Sequence, residues 1–299
     1  MTLLTIRGLT KTYANGTLAL DGVDLDVPRG MFGLLGPNGA GKSSLMRTIA
    51  TLQDADAGTI EFDGIDVLQE PRRLQAVLGY LPQEFGDYPR VSAAALLDER
   101  AVLKGIVNRS ERRDQVRELL VRTNLWDQRK KAVAGFSGGM RRRFGIAQAL
   151  LGAPRLLIVD EPTAGLDPEE RQRFLDLIAE LSEDVVVILS THWVEDVREL
   201  CPQMAILDNG RVLQTGPPED AVRALEGQIW TRRCGRDEVE RLQQKLTVIS
   251  RRRRSGQVVL HVLASDCPAG FEPVTPTLED AYFSALHTGV LAGASLIAE

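Results

Sequence analysis

The stretch Gly36-Pro37-Asn38-Gly39-Ala40-Gly41-Lys42-Ser43 restricts this chain more than any other, because it fits G-x-x-x-x-G-K-[ST]. An apolar run at 31–35 leads straight into it, and a helix-like stretch at 45–52 leaves it. A strand, a glycine-rich turn and a helix in that order make a phosphate cradle. Glycines let backbone N–H groups converge on phosphate oxygens, and the helix directs its positive end at them. Lys42 is then expected between the β- and γ-phosphates, with the Ser43 hydroxyl on Mg²⁺ and Ser44 supporting the α-phosphate. The bland reading, a turn that only permits close strand–helix packing, is disfavoured by the full match and by both flanks.

The chain around this loop alternates. Strands are expected at 3–7, 18–27, 31–35, 58–64 and 78–81, where short apolar runs are bounded by turn residues. From Ser92 to about Asn124 the pattern becomes helical, with Ser92 and Ser110 as expected caps. A helix from Ser137 through Leu151, an apolar strand at 156–159, a helix at 169–181, a strand at 185–189 and a short helix from about Val194 follow. This alternation implies a mainly parallel sheet with helices packed against it. Pro217-Pro218 marks the expected end of that body. Beyond it, a helix near 237–246, a strand at 258–263 and a helix near 278–286 predict a small α+β appendage.

A length of 299 residues suits one large domain plus such an appendage. The net charge of -5 argues against a whole-protein field built for nucleic acid. The basic run Arg251-Arg252-Arg253-Arg254 is local, and the reading is a solvated turn rather than an anionic-lipid contact. The apolar stretches fall short of the ~20 residues a bilayer needs, and the N-terminus lacks a signal peptide's pattern. Cys201, Cys234 and Cys267 show no metal-ligand spacing and read as reduced thiols in a cytoplasmic protein.

Four apolar residues, Leu156-Leu157-Ile158-Val159, run into Asp160-Glu161. A buried parallel strand ending in acid delivers charge to the sheet's carboxyl edge, where open α/β sheets bind ligands. Asp160 is expected to hold Mg²⁺ through water, and Glu161 to face the attacking water as general base or orienting group. A lone histidine at a strand end is more often a surface residue than a catalytic one. His192 follows the next strand, which would bring it to the same edge.

Phe136-Ser137-Gly138-Gly139-Met140 resembles the L-S-G-G-Q signature of ABC ATPases, and the following Arg141-Arg142-Arg143-Phe144-Gly145-Ile146-Ala147-Gln148-Ala149-Leu150 resembles the signature helix. Pro162-Thr163-Ala164-Gly165-Leu166-Asp167-Pro168 is similar to the family's D-loop, and Tyr13, Gln83 and His192 come in the expected order. The resemblance implies a P-loop NTPase of the ABC type. Residues 1–216 would form the nucleotide-binding domain, with a mixed, mainly parallel core, an antiparallel β subdomain and a helical signature subdomain at about 84–150; residues 217–299 would form the accessory unit. It also implies roles. Tyr13 stacks on adenine, Gln83 touches Mg²⁺ or the lytic water, and His192 holds the γ-phosphate in register with Glu161. Asp167 reaches across a dimer interface, and Ser137, Gly138 and Gly139 meet the γ-phosphate of ATP bound by a second copy. That last role also has a direct physical basis, since Ser-Gly-Gly at a helix start is an anion site.

Met140 departs from the usual Gln and cannot make its hydrogen bonds. Methionine there, and Pro276-Thr277-Leu278-Glu279-Asp280-Ala281-Tyr282-Phe283, which looks like a closing P-S-L-E-D-V-F motif, resemble the type-2, drug-resistance-like exporter subgroup. Read without the resemblance, the second stretch is an amphipathic helix capped by Thr277. The resemblance implies a homodimer working with separate transmembrane permease subunits on the inner face of the cell membrane, with no nucleic acid. A soluble ABC ATPase of the DNA-repair or ribosome type is the alternative. Against it, the segment from Gln83 to Ser137 is too short for a coiled-coil arm and the chain has a single phosphate loop. A non-hydrolysing module would be expected to have lost Lys42, Glu161 or His192, and all are present.

Overall fold

A computed structural model describes residues 2–83, 88, 90–162, 168–181, 185–254 and 257–296. The first strands, β1 (Thr2–Thr12) and β2 (Leu18–Pro28), pair antiparallel, and β2 alternates buried and exposed positions, as expected of a strand with one wet face. β3 (Gly30–Leu35) is buried almost throughout and feeds the glycine-rich turn and α1 (Lys42–Ile49). β4 (Ala57–Phe62) and β5 (Ile65–Asp66) complete an antiparallel sheet in the order β2-β1-β4-β5. After α2 (Pro71–Val77) and β6 (Leu78–Leu81), the helical region comprises α3 (Ala93–Leu103), α4 (Arg109–Arg122) and α5 (Gly138–Ala149).

Ser92 caps α3 by accepting from Ala95 N–H at 3.4 Å. Ser110 does not cap α4. The cap is Asn108, two residues earlier, whose Oδ1 accepts from the N–H groups of Ser110 (2.9 Å) and Glu111 (3.3 Å). Asn is among the strongest caps, so the helix starts where it can be satisfied first.

β7 (Leu156–Asp160), α6 (Pro168–Leu181), β8 (Val186–Thr191) and α7 (Val194–Leu200) continue the alternation. β9 (Gln203–Asp208) and β10 (Arg211–Gly216) form a hairpin absent from the sequence expectation. Its turn, Asn209-Gly210, has both residues at positive φ (46° and 76°), the geometry favoured for two-residue hairpins. The central sheet runs β10-β9-β3-β8-β7-β6, with β9, β3, β8, β7 and β6 mutually parallel. β7 and β8 are buried at every position, which explains their unbroken apolar runs.

The last part contains α8 (Pro218–Arg223), β11 (Ile229–Cys234), α9 (Arg236–Gln243), β12 (Thr247–Arg254), β13 (Gln257–Leu263), β14 (Glu272–Pro273) and α10 (Leu278–Leu296). Its sheet has the order β12-β13-β11-β14. The four arginines are therefore not in a turn. They form the end of edge strand β12, where Arg251 pairs with Leu260 and Arg253 with Val258 of β13. Charge on an edge strand discourages pairing with another chain, which gives the run a structural purpose.

Two apolar cores lie in the main body. One joins the β1–β2 sheet to the central sheet through Leu4, Ile6, Phe32, Leu45 and Ile158. The other joins the central sheet to α3–α7 through Leu97, Phe144, Leu157, Phe174 and Val197, and it also includes Leu278, Ala281 and Tyr282 of α10. The final helix thus ties the small sheet, through Asp280 and His261 (2.7 Å), to the core of the body. Thr277 caps it: Thr277 Oγ1 accepts from Asp280 N–H (3.2 Å), and Asp280 Oδ2 accepts from Thr277 N–H (2.9 Å). Among the described residues, no helix is long and apolar enough to cross a membrane.

Candidate nucleotide site

The loop between β3 and α1 gathers the site's cation. Gly41 sits at φ 105°, and a Cβ there would come 2.4 Å from the Ala19 carbonyl oxygen, so only glycine fits. Next to it, Lys42 is buried. Its ammonium donates to the carbonyls of Gly36 (2.7 Å) and Pro37 (3.0 Å), and lies 3.9 Å from Glu161 Oε1. Burial pushes the Lys42 ammonium below its ordinary value, against the pull of Glu161 and Asp160.

Adjacent parallel strands carry the remaining groups to the same edge. β7 ends in Asp160, and Glu161 follows with φ 45°, a left-handed conformation uncommon for a side chain of this size. Its N–H donates to the Ser190 carbonyl on β8 (3.0 Å), which holds that conformation. Among the described residues, three side chains meet the Glu161 carboxylate. Besides Lys42, Gln83 Nε2 donates to Oε2 at 3.2 Å, and His192 Nδ1 lies 3.5 Å from the same oxygen. From α5, the Arg142 guanidinium donates to the Glu161 backbone carbonyl, and burial brings Arg142 down to about 10.

Asp160 is buried, and its Oδ1 has no hydrogen-bond partner among the described residues. Burial pushes its carboxyl above the ordinary value, while the neighbouring Ser190 and Ser43 hydroxyls and Lys42 pull it down. An orphaned carboxylate oxygen beside a serine hydroxyl suits a hard divalent cation that keeps several waters and completes its shell on phosphate oxygens. The residues therefore fit Mg²⁺.

The other expected residues are placed as follows. Gly36, Pro37, Asn38, Gly39 and Ala40 form the loop, and Tyr13 reaches its distal end, with the hydroxyl 2.9 Å from Ser44 Oγ and donating to Gln53 Oε1 at 3.1 Å. Ser137 caps α5, its Oγ accepting from Met140 N–H at 3.2 Å, and the Met140 side chain packs against the apolar core. Gly138 and Gly139 form the first turn of that helix, and Gly139 abuts Glu170 of α6. Ser137, Gly138 and Gly139 take no part in the contacts of Lys42 and Glu161 given above. Asp167 lies outside the described residues. Sequence reasoning missed Gln53, which ties Tyr13 to α1, and Arg142, hidden in a triplet of arginines.

Comparison with known proteins agrees with this geometry. The ABC transporter family profile matches residues 20–164. Daunorubicin/doxorubicin resistance ATP-binding protein DrrA of Streptomyces peucetius is 36% identical over 244 residues, covering 79% of this chain and 72% of that protein. Methionine import ATP-binding protein MetN of Rhizobium etli is 37% identical over 235 residues, covering 73% and 64%. Among solved structures, the post-hydrolysis dimer of the ATP-binding cassette MJ0796 bound to ADP and Pi aligns at a TM-score of 0.66 and 25% identity, over 72% of this chain and 98% of that one. The phosphate loop, the acidic strand end and these likenesses lead to one conclusion: the chain belongs to the ABC transporter ATP-binding proteins, a family of nucleotide-binding ATPases.

Proposed function

We propose that this chain is the ATP-hydrolysing subunit of a membrane exporter. Two copies would sandwich two ATP molecules head to tail and transmit their closure to separate transmembrane permease subunits. The observation that carries the reading is the convergence of Lys42, Gln83 and His192 on the Glu161 carboxylate. A carboxylate held by three partners at a sheet edge, beside a phosphate cradle, can orient and deprotonate a water for attack on a γ-phosphate.

Lys42, released from its carbonyl partners, would neutralise the β- and γ-phosphates, and Gly36 to Ser44 would cradle the phosphate chain. Ser43, Asp160 and Gln83 would hold Mg²⁺, which supplies charge neutralisation between the phosphates when bound. Tyr13 would lie against adenine. Ser137, Gly138 and Gly139, with their free helix-start N–H groups, would face the nucleotide of the second copy, and Asp167 would lie at that interface.

Residues 1–216 would form the nucleotide-binding domain, with its helical part at about 84–150, and 217–299 an accessory unit whose last helix packs into the core of that domain. A groove of about 610 Å³ lined by Leu52, Tyr80, Pro82, Tyr88, Leu103 and Lys104 adjoins Gln83, and Leu52 and Leu103 are 60% and 70% exposed. It supports docking of a permease segment there, which would hold the chain at the inner face of the membrane from the cytoplasm. The likeness to an import ATPase means that the ATPase body alone leaves direction open. Export rests on Met140, on the Pro276–Phe283 motif and on the likeness to a drug-resistance ATPase.

Glu161→Gln tests the chemistry: ATP turnover should be nearly abolished with binding intact, and normal turnover would overturn the mechanism. Mild-detergent purification from native membranes tests the setting. A stoichiometric membrane polypeptide is expected; ribosomal proteins or nucleic acid in its place would favour the soluble class.

A further inference from the structure

The turn that carries His192 is held from behind. Asp196, in the first turn of α7, is fully buried and forms an ion pair with Arg171 of α6. Its Oδ2 accepts from the Thr191 hydroxyl at 3.4 Å, and Thr191 Oγ1 accepts from Trp193 N–H at 3.0 Å. Thr191 is thereby tied directly, and Trp193 through the Thr191 hydroxyl, to one buried carboxylate. The adjacent Val197 leaves α7 little freedom toward the sheet, since a Cβ at Gly33 of β3 would come 2.7 Å from Val197 Cγ1. A buried carboxylate is tolerated when a cation and hydrogen bonds compensate it, so the ion pair and the turn geometry stand together. Arg171 follows Asp167 by four residues, on the helix that starts at Pro168.

We propose that Arg171 and Asp196 are positioning residues. They hold the His192 turn and so set His192 against Glu161 at the reacting centre. The inference rests on the ATPase-dimer reading above. A plain tertiary staple would use the same pair, but its loss would lower stability without acting selectively on His192.

The chain has three histidines, His192, His261 and His287, so ring-labelled histidine NMR gives three signals, with His192 assigned by its loss in His192→Ala. The full-length protein is compared with Arg171→Gln, Arg171→Lys and Asp196→Asn, by NMR and by ATP turnover. Arg171→Gln should move the His192 signal while leaving the other two in place. It should lower kcat roughly 10- to 100-fold, the scale of a small misplacement at a reacting centre, with KM for ATP changed less than about twofold. Arg171→Lys should restore much of both. Arg171 is 30% exposed at its side chain, so its variants carry the test if Asp196→Asn fails to fold. An unmoved His192 signal, or an unchanged kcat per folded molecule, overturns the proposal. Absence of ATP turnover in the unmodified protein would count against the ATPase-dimer reading instead, and the NMR comparison would still decide whether the pair positions His192.

Discussion

Lys42 and Glu161 face each other across 3.9 Å, and the lysine donates to two carbonyls of its own loop. On the proposed reading an incoming phosphate would replace those carbonyls as acceptor, offering charge where they offer only dipoles. Lys42→Ala should leave the nucleotide-free fold within about 1 kcal/mol of the original. It should weaken ATP binding by about 1.5–3 kcal/mol, the value of a charge-assisted hydrogen bond, as read by calorimetric titration. The ammonium is held below 10.5 by burial, so the unfolded chain binds more protons just below that pH. The lysine's contribution therefore makes nucleotide-free stability rise as pH climbs through that window, and Lys42→Ala should remove this slope.

Asp160 behaves in the opposite sense. Its folded value lies above 3.8 because burial outweighs its polar neighbours, so the folded chain holds the extra proton between 3.8 and that higher value. Stability contributed by this group falls as pH rises through the window, and at neutral pH the bare carboxylate is a cost. Asp160→Asn should raise the melting temperature of the nucleotide-free protein by about 2–4 °C, equivalent to about 1 kcal/mol. The further rise on adding Mg²⁺ with nucleotide should be lost. Thermal melts with and without both ligands check the two signs.

Gly33 gives the third expectation. A Cβ there would press on Val197, so Gly33→Ala should destabilise by about 1–3 kcal/mol, the range for overpacking a filled core. It should also slow turnover, because α7 begins directly after the His192 turn. Val197→Ala opens space at the same point, and the double variant should be less destabilised than the sum of the two. Denaturant titrations of all three proteins measure that coupling.

At the far end, Tyr282→Ala should cost about 3–5 kcal/mol, as for other large aromatic truncations, and should lower the stability of the ATPase body. Burial alone would raise the Asp280 carboxyl. Hydrogen bonds from His261 and Thr277 outweigh it and hold the group below 3.8. Its stabilising contribution is present above 3.8 and disappears as pH falls through the folded value. Asp280→Ala should therefore reduce the loss of stability on acidification below pH 4, measured by denaturant melts across that range.

Much of the body was legible because its signals are local. The run of buried positions in β7, the Gly-x-x-x-x-Gly-Lys-Ser turn and the alternation of strand and helix each follow from neighbouring residues. The β9–β10 hairpin was missed although Asn209-Gly210 is a strong turn signal, because its strands follow α7 without an expected boundary. The arginine run was misread since charge argues for solvent and is silent on backbone pairing; β13 supplies the ladder from outside the window. Within the site, Glu161 and His192 could be foreseen from adjacent strand ends. The contacts of Arg142 and Asp196 could not, because each is made with a distant element.

The return of α10 to the main core has a consequence for how the protein is made. Val197 and Met204 belong to the same apolar cluster as Leu278 and Tyr282, yet the accessory sheet must be synthesised between them. While a ribosome adds those strands at about 5–20 residues per second, the growing chain carries an open greasy face for a period on the order of seconds. Sealing of the body therefore waits on translation of a segment distant in sequence from the phosphate loop.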